Sequence, residues 1–142
     1  MPSVNIHSIL QAILETIEPK DLSDEAVKKL GVLFSEQLLL AALDLIDRDC
    51  VTQHISPWGR SHFSVLGMTG PYTVFPSLYQ SCSIPFYCTC PAFAYSVLIS
   101  QSQITCKHIL AVLIARPLSK CVVREMNKEE VVTLLARQMS DI

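Results

Sequence analysis

Cys88-Thr89-Cys90 and Cys106-Lys107-His108, with fifteen residues between them, decide how this chain is read. Three thiols and an imidazole in two close pairs, with a segment between them long enough to fold, describe a closed tetrahedral Zn2+ site. Spacing i, i+2 puts both members of a pair on one face of a strand or extended turn, whereas on a helix they diverge. The pairs therefore belong at the edges of elements. Three thiolates leave one surplus negative charge on bound zinc. Lys107, and the amides opening a helix just after it, can offset that charge.

Other chemistries of these residues fit less well. Six cysteines in 142 residues could form a disulfide framework, but that needs an oxidising compartment, and no basic segment precedes an apolar one at the N-terminus. A catalytic zinc keeps a fourth position open and needs a nearby base, whereas the flanking sequence supplies four ligands and no acid. A Cys106–His108 nucleophilic pair lacks an orienting acid close in sequence. An iron–sulfur cluster prefers four thiolates, and three Cys with one His favour zinc. Cys50, Cys82 and Cys121 stand outside the motif and read as small buried hydrophobes. His7, His54 and His62 read as ordinary surface or hydrogen-bonded histidines, with His54 and His62 placed to neighbour each other across strands.

Charge is unevenly distributed. Charged residues make up 17% of the chain, against about 25% in typical soluble proteins, and residues 61–105 contain no Asp, Glu, Lys or Arg. Such a stretch is either thoroughly buried or covered by another protein. The net charge of −2 gives no general attraction for nucleic acid. Lys107, Arg116, Lys120 and Arg124 have no acid among them and could touch phosphate, with a solvated helix face and linker as the plainer reading. No apolar run approaches the roughly 20 residues a bilayer needs. A soluble intracellular protein without membrane association is expected.

The elements predict an α+β fold. Ser3 is placed to cap a helix running to about residue 18, before Pro19. Ser23 and Ser35 are placed to cap helices whose apolar residues include Ala26, Leu30, Ala42 and Leu45, with a break plausible at Gly31 or Ser35. Residues 51–56 and 61–66 flank Ser56-Pro57-Trp58-Gly59-Arg60 and read as a β-hairpin. Residues 72–75 and 83–90 add strands limited by Pro76 and Pro85. A short helix follows Pro91, and a nearly all-apolar helix runs from His108 until Pro117 stops it. Residues 126–139 form a last helix capped by Asn127, with Val131, Leu134, Leu135 and Gln138 along one side. The division is an N-terminal helical region (1–50), a zinc module (51–116) and a C-terminal helix (117–142).

The order Cys-x-Cys…Cys-x-His, preceded by Ser56-Pro57-x-Gly59-Arg60-x-x-Phe63-x-Val65 and followed by an apolar helix, resembles the SWIM zinc-finger family. The likeness covers about residues 51–115 and implies a ββα-like module with Cys88, Cys90, Cys106 and His108 as zinc ligands. Chain length, Ala42-Leu43-Asp44-Leu45-Ile46-Asp47-Arg48 and Cys90-Pro91-Ala92-Phe93-Ala94 resemble one branch, the small SWIM-domain subunits of the Shu complex. That resemblance implies a nuclear, non-enzymatic subunit in homologous recombination. It would pair with a RecA-like paralogue as a heterodimer and assist the recombinase filament on single-stranded DNA, with DNA affinity belonging mainly to the complex. The alternative is a finger that binds DNA directly through Lys107, Arg116, Lys120 and Arg124, with Tyr87 or Tyr95 offering a base a stacking face.

Overall fold

The computed structural model describes residues 6–19, 21–59, 61–67, 69–76 and 84–140, with side chains as far as residue 136. Serine caps set the N-terminal helices. α1 (Ile6–Leu14) buries Leu10 and Leu14. α2 (Asp24–Leu33) begins at Ser23, whose Oγ accepts the Ala26 N–H at 3.2 Å, with Asp24 and Glu25 complementing the helix dipole. α3 (Glu36–Asp47) begins in the same way at Ser35, whose Oγ accepts the Leu38 N–H. The break between α2 and α3 falls at Phe34, which is extended and buried. α1 ends four residues before the expected point. There the Thr16 hydroxyl donates to the Ile13 carbonyl at 2.6 Å, the local competition that short polar side chains offer at helix ends. The expected cap Ser3 lies outside the described residues.

Asp49, at φ 55°, turns the chain out of α3 into the expected hairpin. β1 (Val51–Ile55) and β2 (Ser61–Gly67) pair antiparallel, with Val51 opposite Val65 and His54 opposite His62. Gly59 supplies the positive φ (82°) that their connection needs. β3 (Gly70–Phe75) pairs with β2, and β4 (Tyr87–Cys88) with β3, both antiparallel. β4 is much shorter than residues 83–90, and Ser83 itself lies outside the described residues. β5 (Val122–Glu125) lies parallel to β1 where a linker was expected. The sheet is therefore five-stranded and mixed, in the order β4-β3-β2-β1-β5, where a hairpin and two added strands were expected. The α+β class holds.

Pro91 opens a short helix over Phe93–Ile99 wound in π form, shown by the Ser100 N–H donating to the Tyr95 carbonyl at 2.8 Å. α4 (Lys107–Leu118) runs through Pro117, where a stop was expected. The proline sits in the last turn, so its missing N–H forfeits only one intrahelical bond, and Leu118 beyond it is buried. Ser119 ends the helix at φ 58°. α5 (Lys128–Ser140) starts at Asn127, whose Oδ1 accepts the Glu130 N–H at 2.8 Å. Val131 and Leu134 are half-buried, Leu135 is exposed, and the Gln138 side chain lies outside the described residues.

α4 organises the interior. It is buried on every side, as a helix with so little amphipathicity must be, packed between α3 and the sheet face carrying Val51, Phe63, Val65 and Val74. One apolar cluster runs from Leu10 to Leu118, so the N-terminal helices share their core with the zinc-module residues. Among the described residues, no helix is long and apolar enough to cross a membrane.

Candidate metal centre

Each ligand pair sits where one element gives way to another. On β4, Cys88 opposes Val74 and faces inward, while its neighbour Tyr87 is exposed. Thr89 locks the following turn to β3: its N–H donates to the Thr73 carbonyl at 3.1 Å, and its Oγ1 accepts the Thr73 N–H at 3.0 Å. Cys90 then precedes the π helix, and its sulfur accepts the Phe93 N–H at 3.3 Å. Cys106, with extended backbone, is the N-cap of α4, and His108 lies in the first turn of that helix.

The four side chains meet. Sγ of Cys88, Cys90 and Cys106 and a ring nitrogen of His108 all lie within 4.8 Å of one another, and all four residues are buried. A tetrahedral zinc with thiolate bonds of about 2.3 Å has ligand–ligand edges near 3.8 Å, so closing onto the ion takes an ångström or less. Two observations fit a cation. Neither ring nitrogen of His108 has a hydrogen-bond partner, although the residue is only 4% exposed, and a buried polar group left that way is costly. The thiols also compete for protons. Interaction with the Cys106 and Cys90 sulfurs, and then burial, hold the Cys88 thiol above its ordinary range, while interaction with Cys106 and Cys88 holds Cys90 below it. A divalent cation takes the place of the shared protons.

With four protein ligands in a buried cluster, a bound zinc has no open position for water or substrate, which makes the centre structural. It ties the end of the sheet to the start of α4. Tyr72, whose ring centroid lies 4.8 Å from that of His108, braces the imidazole. The sequence reading missed this contact, though alternation alone puts Tyr72 on the same face of β3 as Val74. Thr105, fully buried beside Cys106 with its hydroxyl unpaired, was also missed; a buried threonine gives no periodic signal.

The four candidate phosphate contacts do not form one strip. Lys107 opens α4, and Lys120 follows its far end. The Arg116 guanidinium lies over the Phe63 ring, 5.6 Å from the centroid, on the inner side of the sheet. Arg124 pairs with Glu130 at 3.0 Å on the opposite side. Tyr87 and Tyr95 are exposed, but Tyr87 leans edge-on against buried Phe93. His54 and His62 do meet across strands, their rings stacked with centroids 4.9 Å apart, and His54 Nε2 is 2.8 Å from Ser64 Oγ. The His7 ring meets Phe86 edge-on. Cys50 and Cys121 are half-buried free thiols, and Cys82 lies outside the described residues.

Residues 87–117 match the SWIM zinc finger, a span that includes all four ligands. Zinc finger SWIM domain-containing protein 7 from Danio rerio is 36% identical over 85% of this chain and 81% of its own length. The Homo sapiens protein of that name is 32% identical over 95% of this chain and 91% of its own. The Dictyostelium discoideum homolog is 30% identical over 90% and 78%. The chain belongs to this SWIM zinc-finger family. Family pattern and buried ligand cluster together identify a zinc site. No solved structure matches the chain.

Proposed function

We propose that this chain is a non-enzymatic, zinc-scaffolded adaptor of homologous recombination in the nucleus, of the Shu-complex kind. It pairs with a RecA-like paralogue, and the pair promotes assembly or stability of the recombinase filament on single-stranded DNA. The closed four-ligand zinc site carries the non-enzymatic part of this reading, because it holds two elements together and offers no position for substrate. The protein-contact part is supported by the charge-free segment. Around the metal it leaves Tyr95 66% and Ile99 73% exposed, with Leu98 beside them. An apolar surface without cations suits a protein partner better than a polyanion. Direct DNA binding through a basic strip is disfavoured by the separate engagements of Arg116 and Arg124.

Affinity purification from cells, followed by mass spectrometry, tests this reading. A RecA-like ATPase should accompany the wild-type chain and be lost with Cys106→Ser; its absence from the wild-type sample overturns the reading. The isolated chain should bind single-stranded DNA weakly, and tight, salt-sensitive binding would favour the direct finger instead.

A further inference from the structure

The sheet has two edges, and they are guarded unequally. β4 is two residues long and runs straight into the zinc turn. β5 has four residues, all exposed, and β1 is its only substantial neighbour among the described elements. The Met126 N–H donates to the Ile55 carbonyl at 2.8 Å, so residues 122, 124 and 126 direct their main-chain groups toward β1. By the period of two, Val123 and Glu125 direct theirs away from the sheet. Val122-Val123-Arg124-Glu125 contains no proline or bulge; its protection is its four-residue length and the charges of Arg124 and Glu125, and Arg124 is already tied to Glu130. Val122 is 46% and Val123 59% exposed.

An open groove lined by Gln53, Arg116, Ser119, Cys121 and Val123 adjoins this edge on the α4 side. It contains a cation and no acid, and none of the ion pairs among the described residues engages Arg116. The outward main-chain donors and acceptors of Val123 and Glu125 suit an extended polypeptide. The groove beside them suits a side chain complementary to a guanidinium. We propose that the β5 edge docks an extended segment of the protein partner, which adds as a sixth strand and sets an acidic side chain beside Arg116. Antiparallel self-pairing of a second copy centred on Arg124 or Glu125 puts like charges directly opposite each other, whereas the register centred on Val123 does not, so the test below includes a homodimer among its outcomes. This inference rests on the adaptor reading for the existence of the partner.

The test uses the full chain, with the RecA-like ATPase recovered from cells as probe. Val123→Pro removes an outward N–H and obstructs the edge while sparing the bonds to β1. It should cut recovery at least tenfold with zinc content and circular dichroism unchanged. Val123→Thr, which keeps the N–H and β-propensity, should recover the ATPase as well as wild type. Arg116→Glu provides a second route should the proline variant misfold, and it too should cut recovery at least tenfold. Undiminished recovery by folded Val123→Pro, or by Arg116→Glu where the proline variant misfolds, overturns the edge proposal and leaves the adaptor reading intact. Absence of a RecA-like ATPase from the wild-type sample overturns both. A wild-type homodimer by light scattering that becomes monomeric with Val123→Pro makes a second copy the occupant and also overturns the proposal.

Discussion

Single side chains decide whether the metal stays. Cys106 both ligates and opens α4, so Cys106→Ser should lose stoichiometric zinc and the cooperative thermal transition together, measured by elemental analysis and circular dichroism. Tyr72→Ala should leave the ligands in place while loosening the imidazole, so zinc is lost to a competing chelator at lower concentration than from wild type. The stacked histidines make a separate prediction about pH. His54 is held below its ordinary value of 6.5 by burial and then by Arg124, partly opposed by Glu130; His62 is held there by burial and then by His54. The unfolded chain therefore takes up protons near pH 6.5 before the folded one does. The contribution of this pair to stability is full above that value and falls as pH drops below it. In His62→Asn the decline measured by urea unfolding should be shallower. An identical slope would show that the pair contributes nothing to it.

At the scale of elements, caps and burial give definite magnitudes. Asn127→Ala and Ser23→Ala should each cost about 1 kcal/mol in denaturant unfolding. Ile109→Ala, at a fully buried position on α4, should cost about 2–5 kcal/mol. These elements are also the ones the sequence declares most clearly. Ser23, Ser35 and Asn127 mark helix starts by hydrogen-bonding chemistry that is local to a few residues. The ligand pairs are legible because metal geometry restricts both residue type and spacing. What escaped was non-local. β5 is exposed along its whole length, so no burial alternation marks it, and it exists because β1 offers its free side to a segment some seventy residues away. Pro117 misled for the complementary reason: a local breaker was outweighed by burial of Leu118.

Across the whole molecule, the zinc ligands and the apolar core share one buried cluster. α4 starts at two of the ligands and supplies the middle of the cluster that runs from Leu10 to Leu118. Structural zinc contributes about 10–16 kcal/mol in small domains, as much as the roughly 5–15 kcal/mol of a typical domain's entire stability. Losing the ion should therefore melt the sheet and α4 together. Elemental analysis of the native chain, paired with thermal unfolding before and after chelation, puts this to the test. One zinc per chain, and loss of the cooperative transition once a chelator removes it, is the expected result. A substoichiometric metal content with the transition unchanged by chelation would contradict it.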